Sequence, residues 1–70
     1  MKEEKYFIIE VKDSVYLKQD KMGRYSLTGN FKEAKRFDYP KNGYIDQTPK
    51  QVAKKWFGTL KTLLISWEVQ

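Results

Sequence analysis

The sequence predicts an α+β fold in which a small antiparallel sheet of about four strands, in the order β-β-β-α-β, carries one main helix packed on one face. Three observations lead to this prediction. Four segments alternate apolar with polar residues, as half-buried strands do. Short turns separate the first three segments, so these strands should be antiparallel neighbours. One stretch with helix start and stop signals lies before the fourth segment.

The front of the chain is predicted to be a three-stranded meander. Its strands are predicted at residues 5–12, 15–19 and 24–28. Residues 13–14 and 20–23 supply the turns, and Gly23 stands where a positive φ is expected.

A short helical turn is predicted after the third strand. Asn30 is a suitable cap for it, and Glu33 follows three residues later, at the spacing of a capping box. Phe31, Ala34 and Phe37 recur every three residues, which places them on one side of one or two helical turns.

The main helix is predicted after a loop at residues 38–47, which contains a proline and an Asn-Gly pair. Thr48 is a suitable N-cap, Pro49 suits the first helical position, and Gly58 is a natural C-cap. The apolar stripe of this helix comprises Val52, Ala53, Trp56 and Phe57.

The last and longest strand is predicted at residues 59–69, beside the first strand, with both in central positions because both are strongly apolar. Its core-facing residues are predicted to be Leu63, Ile65, Trp67 and Val69, with Leu60, Leu64 and Ser66 facing away. The predicted core comprises Phe7, Ile9, Val11, Val15 or Leu17, Leu27, Phe37, Val52, Trp56, Leu63, Ile65 and Trp67.

The chain of 70 residues is interpreted as one domain spanning residues 1–70, with room for one thin core. A core of this size rarely supplies more than about 3–5 kcal/mol, so small domains often rely on disulfides, metals or oligomerisation. The sequence contains no cysteine and no histidine, which excludes disulfides, thiolate zinc sites and iron–sulfur clusters. Homodimerisation or a partner protein remains as a source of stability.

The inventory of reactive residues does not favour an enzyme. Without cysteine and histidine, the commonest nucleophile and base pairs are missing, and the carboxylates show no paired spacing. No glycine-rich phosphate-binding loop is present. We therefore expect no catalytic residue, no cofactor and no metal.

Positive charge is concentrated in the second half of the chain. The net charge is +5, and residues 31–61 carry eight basic and three acidic side chains. Such a patch attracts nucleic acid, an anionic membrane surface or an acidic protein tail, although a solvated lysine face is the alternative interpretation. The charged N-terminus and the short apolar run after it fit no signal peptide or membrane span, so a cytoplasmic location without membrane association is expected.

The sheet face turned away from the helix is predicted to be unusually apolar. It should carry Tyr6, Ile8, Tyr16 and Leu64, and an apolar outer patch often marks a contact site. It is interpreted as a dimer interface, a docking face for another protein, or a platform on which single-stranded bases stack. A register shifted by one residue would instead place these side chains in the core.

A likeness to a known group rests on three parts of the sequence. They are the hairpin Tyr16-Leu17-Lys18 with Tyr25-Ser26-Leu27-Thr28, the segment Ala34-Lys35-Arg36-Phe37, and the closing Trp67-Glu68-Val69. The chain resembles small uncharacterised proteins of about this length from staphylococcal phages and prophages. The resemblance implies a phage protein in the cytoplasm of a bacterial host that modulates host DNA metabolism by binding a host protein. One group of this kind is associated with inhibition of the single-stranded-DNA-binding protein.

Two modes of action are compatible with the composition. A mimic of DNA should be acidic, whereas this chain is basic, so imitation of phosphates is not expected. The chain is expected instead to contact a host protein with an acidic tail or, alternatively, to bind single-stranded nucleic acid directly. The candidate partner-binding residues are Tyr6, Ile8, Tyr16, Lys35, Arg36, Lys50, Lys54, Lys55 and Leu64.

Overall fold

A computed structural model, which describes residues 2–39 and 47–68, shows a small α+β fold with an antiparallel sheet and one α-helix. This confirms the predicted fold class. The sheet has five strands rather than about four. The elements are β1 (Lys2–Lys12), β2 (Val15–Gln19), β3 (Tyr25–Thr28), a 3₁₀ turn (Phe31–Glu33), β4 (Phe37–Asp38), α1 (Thr48–Lys55) and β5 (Thr59–Trp67).

The long strand β1 lies at the centre of the sheet. Along one edge it pairs with β5, from Lys2 opposite Trp67 to Glu10 opposite Thr59. Its other edge pairs with β4 near Tyr6 and with β2 from Glu10 onward, and β3 lies outside β2. The predicted pairing of the first and last strands is confirmed. The central position predicted for the last strand is wrong, because within the described residues β5 pairs only with β1.

The core lies between the sheet and α1, on the sheet face that we call the helix face. Ile9 and Leu17 are fully buried there, together with Phe37 and Ala53. The partly buried residues around them are Phe7, Val11, Tyr25, Val52, Trp56 and Leu60. The predicted alternation of β1 is therefore confirmed, since Phe7, Ile9 and Val11 all belong to this core.

The predicted facing of β5 is wrong. Paired residues of antiparallel strands share a face, and Leu60 lies opposite Ile9 whereas Leu63 lies opposite Tyr6. Leu60 therefore packs against the core, and Leu63, Ile65 and Trp67 lie on the opposite face, which we call the outer face. Leu64, predicted to face away, lies opposite Lys5 on the helix face, together with Ser66. Val69, also predicted to face the core, lies outside the described residues.

The helical turn predicted after β3 is shorter than expected. The side chain of Asn30 accepts a hydrogen bond from the Lys32 N–H at 3.0 Å, which confirms the predicted cap. The Glu33 carboxylate accepts a hydrogen bond from the Thr28 hydroxyl instead of closing a capping box. Ala34 is already extended, with φ −61° and ψ 143°, so helical geometry stops there.

Phe37 reaches the core as predicted, but from a strand rather than a helix. It lies in β4, directly opposite Phe7. Pairing with β1 explains the difference. As a short strand, this segment bonds to backbone groups along the edge of β1, which a second helical turn would leave without partners.

The main helix begins slightly earlier than its sequence signals predict. Thr48 is its first residue, Gln47 stands at the N-cap without a capping side chain, and Pro49 is buried in the first turn. Most of the loop predicted at residues 38–47 lies outside the described residues, and Asp38 belongs to β4. In the hairpin between β2 and β3, Gly23 has the expected positive φ, at +83°.

The end of α1 is a Schellman motif built around an unusual residue. The Gly58 N–H bonds to the Ala53 carbonyl at 2.8 Å, and the Phe57 N–H bonds to the Lys54 carbonyl at 3.2 Å. The left-handed residue is Phe57, with φ +56°, rather than the predicted Gly58. Phe57, predicted in the apolar stripe, is 92% exposed, so it contributes almost nothing to the core.

Replacing Phe57 with glycine is expected to stabilise the protein. A side chain in the left-handed region costs about 1–2 kcal/mol, and the flexibility of glycine in the unfolded chain offsets part of that gain. We expect a net increase of about 0.5–1 kcal/mol in the free energy of unfolding, measured by urea denaturation. Phe57→Ala keeps the Cβ and serves as the control, so an equal gain from both variants would contradict this explanation.

Candidate partner-binding cleft

The outer face of the sheet is partly covered. Tyr6 lies opposite Leu63 on this face, and Tyr16 lies opposite Glu10 farther along. Ile8, between them on β1, is only 4% exposed, and Ala34 is 5% exposed, yet neither belongs to the core cluster under α1. Their burial on the other face indicates that the segment after β3 folds back over the outer face.

An open cleft of about 440 Å³ lies between this covering segment and β5. The cleft is lined by Phe31, Lys32 and Arg36 from the segment and by Leu63, Leu64, Ile65 and Ser66 from the strand. Leu63 and Ile65 are half-buried, whereas Phe31 is 46% exposed. The site therefore combines an aliphatic wall with an aromatic side chain that solvent still reaches.

The residues that line the cleft give it a positive character. They include Lys32 and Arg36 and no carboxylate, and the Glu4 carboxylate beside Ile65 accepts a hydrogen bond from the Tyr6 hydroxyl. The nearby Glu33 is engaged by the Thr28 hydroxyl at 2.8 Å. A negatively charged group entering the cleft would meet two cations, and apolar groups beside that charge would meet aliphatic side chains.

Arg36 is held in place by stacking on the sheet. Its guanidinium lies over the Tyr6 ring, 5.5 Å from the centroid, which is within the range of cation–π contacts. The Tyr6 hydroxyl donates a hydrogen bond to the Glu4 carboxylate, and this bond is the main cause that raises the pKa of the Tyr6 phenol above its usual value. Glu4, Tyr6 and Arg36 therefore form a chain of contacts that orders one end of the site.

The predicted site residues separate into two groups. Tyr6, Arg36 and Leu64 lie at or beside the cleft, although Leu64 belongs to the opposite face from the one predicted. Ile8 is buried, so it supports the outer face rather than offering a contact. Tyr16 is half-buried on the outer face and does not line the cleft.

The basic residues predicted as one patch are divided between the two faces of the sheet, because Arg36 lies over Tyr6 on the outer face. Lys50, Lys54 and Lys55 are exposed on α1, which packs on the helix face. The Lys35 ammonium lies 5.7 Å from the centroid of the Phe37 ring. The structure therefore does not bring the helix lysines together with Arg36.

Five cleft residues are not among the site residues that the sequence predicts. The sequence places Phe31 in a helical stripe and Lys32 in a basic segment. It places Leu63 and Ile65 in the core, and Ser66 on the face away from it. One signal in the sequence is that Lys32 directly follows Phe31. This pair indicates a binding site only when Leu63 and Ile65 are known to lie on the outer face.

Across residues 2–39 and 47–68, no group of three or more His, Cys, Asp or Glu side chains is placed to hold a metal ion. No helix in this part of the chain has the length and apolarity needed to cross a membrane. Comparison with protein-family models, with curated proteins and with solved structures finds no match to this chain. The cleft must therefore be interpreted from its own chemistry.

Proposed function

We propose that this chain is a small protein-binding modulator that holds a segment of a partner protein in the cleft between Arg36 and β5. The observation that supports this proposal is that one open cleft combines an exposed phenylalanine, an aliphatic wall and two cations. Arginine and aromatic residues are enriched at the centres of protein interfaces, where they supply most of the binding energy.

The same features favour a protein partner over single-stranded nucleic acid. Binding to a nucleic acid strand uses a track of cations along the phosphates and free aromatic faces for the bases. Here the cleft offers two cations, and Arg36 already lies over one face of the Tyr6 ring. The three helix lysines, which would extend such a track, lie on α1 on the other side of the sheet.

The resemblance to staphylococcal phage proteins supports a more specific form of this proposal. It makes a protein of host DNA metabolism the first candidate partner, acted on in the bacterial cytoplasm. The single-stranded-DNA-binding protein is the first to test, because an acidic, disordered tail would suit the two cations of the cleft. In this form, the chain acts as an inhibitor of that protein.

The test is a titration of the purified protein against the staphylococcal single-stranded-DNA-binding protein, monitored by calorimetry. Arg36→Glu reverses one charge of the cleft and is expected to weaken binding at least tenfold. Lys21→Glu makes the same charge change in the exposed turn between β2 and β3, outside the residues that line the cleft, and is expected to leave the affinity within about twofold, since exposed charges that make no contact have small effects.

A parallel titration with a single-stranded oligonucleotide distinguishes the alternative function. Affinity that falls steeply with salt, in proportion to the phosphates neutralised, would assign the chain to nucleic-acid binding and overturn the proposal. Equal weakening by Arg36→Glu and Lys21→Glu would instead remove the cleft as the contact site.

A further inference from the structure

The outer edge of β5 is an unusual surface for so small a domain. Within the described residues, the nine-residue strand makes its backbone ladder only with β1. Its sequence contains no proline and one charged residue, Lys61. Two of its large apolar side chains remain exposed, Leu64 at 53% and Trp67 at 39%. Long apolar edges of this kind readily pair with another strand.

We propose that two copies of this chain pair through β5 in antiparallel orientation, around a two-fold axis at Leu64, to form one continuous sheet. Antiparallel pairing of identical strands creates an isologous interface, the commonest arrangement in homodimers. Such an axis stands perpendicular to the sheet and keeps each side chain on its own face. Residues that oppose one another across the axis must therefore share a face, so the axis passes through a residue and not midway between two residues.

The register centred on Leu64 gives the best match of side chains. On the outer face, Lys61 lies opposite Trp67 of the second copy, and Leu63 lies opposite Ile65 of the second copy. On the helix face, the two Leu64 side chains meet. The exposed leucine thus gains an apolar neighbour, and the exposed indole gains the Lys61 side chain, whose ammonium lies 3.8 Å from the Glu10 carboxylate within its own copy.

The neighbouring registers lose these pairs. Centring the axis on Leu63 places Lys61 opposite Ile65 and Leu64 opposite Thr62, so a charge faces an aliphatic side chain. Centring it on Ile65 shortens the ladder, because Lys61 would then lie past Trp67, the last residue of β5 in the second copy. Of these three registers, the one centred on Leu64 therefore has the most favourable side-chain pairs.

The charge of the chain does not oppose this pairing. In the proposed register the two Lys61 residues are six positions apart along the strands, or about 20 Å at 3.3 Å per residue. That separation exceeds the Debye length of about 8 Å at physiological salt, so their repulsion is screened. Dimerisation would also supply stability to a chain in which Ile9 and Leu17 are the largest fully buried side chains.

A single introduced cysteine tests the register directly, because the chain has none of its own. Leu64→Cys is expected to form an intermolecular disulfide under mild oxidation at high micromolar protein concentration, since directly opposed Cβ atoms lie about 4.5–5.5 Å apart and a small local shift brings them to the roughly 3.5–4.5 Å that a disulfide spans. Thr62→Cys is the matched control on the same strand and face. Its two copies would be about 13 Å apart, four residues along the strand, and should not crosslink.

A second variant separates dimerisation from folding. Leu64→Glu places two like charges on the axis, whereas within one copy the new carboxylate faces Lys5 across the β1–β5 ladder. We expect a folded variant by circular dichroism with dimerisation weakened at least tenfold by analytical ultracentrifugation. The wild-type chain should sediment as a dimer at high micromolar concentration.

Three results would overturn the proposal: a wild-type monomer at several hundred micromolar, equal crosslinking of the two cysteine variants, or no crosslinking by Leu64→Cys. Crosslinking and sedimentation are both measured without a partner protein. A negative result for the dimer would therefore leave the proposed function of the cleft to be decided by the titration described above.

Discussion

Leu17→Ala is expected to remove most of the stability of this protein. Leu17 is fully buried, and it packs in the central cluster with Ile9, Phe37 and Ala53. Truncating a buried leucine to alanine costs about 2–5 kcal/mol, because apolar contacts are lost and a cavity remains. A domain of this size holds about 3–5 kcal/mol in total, so we expect a variant near or below half-folded in water. Urea denaturation followed by tryptophan fluorescence measures the loss.

Leu27→Ala is the matched control for this experiment. Leu27 lies directly opposite Leu17 in the β2–β3 ladder, so the two substitutions remove the same atoms from neighbouring positions on one face. Leu27 is 46% exposed, since it lies toward the edge of the sheet beyond the cover of α1. We expect a loss of no more than about 1 kcal/mol, as for other partly exposed positions. Similar losses from both variants would mean that the core is not centred on Leu17.

The front of the fold was predictable because its signals are local. In β1 the set Phe7, Ile9 and Val11 is entirely apolar, whereas the alternate set includes the charged Glu10, so the strand itself indicates which set faces the core. The turn before β3 depends on a residue that tolerates positive φ, and Gly23 supplies it. Neither feature requires knowledge of distant parts of the chain.

The facing of β5 was not predictable in the same way. Leu63, Leu64 and Ile65 are consecutive apolar residues, so either alternating set could have faced the core. The choice is made by pairing with β1, where Leu60 lies opposite Ile9, and a slip of one residue would reverse every side chain. The position of Gly58 against β1 helps to fix that register, because the strand begins directly after this glycine.

The candidate site was predictable only in part for the same reason. The sequence predicts Tyr6 from one strand and Arg36 from one basic segment, and each of these is a local feature. The opposite wall of the cleft belongs to β5, and its contribution appears only when Leu63 and Ile65 are turned to the outer face. A site that lies between two elements can be predicted only when the facing of both elements is known.

Gly58→Ala is expected to have the second large effect, through close approach rather than backbone conformation. A Cβ at this position would lie 2.5 Å from Cγ2 of Ile9 and 3.1 Å from the Glu10 carbonyl oxygen. Neither neighbour can easily withdraw, because Ile9 is fully buried and Glu10 is paired on both sides within the sheet. Overpacking of this kind costs about 1–3 kcal/mol, and we expect a loss near the upper end.

Gly29→Ala provides the control, since a Cβ at Gly29 would have its nearest neighbour, the Ser14 carbonyl oxygen, at 4.0 Å. Both variants add one methyl group in place of a glycine hydrogen and restrict the unfolded chain equally, so the difference between their urea midpoints isolates the contact with β1. The Gly58 variant should unfold at a clearly lower urea concentration than the Gly29 variant. Because Gly58 joins α1 to β5, comparable stability would mean that the helix and the last strand can move away from Ile9 at little cost, and the register of β5 would then have to be maintained by its pairing with β1 alone.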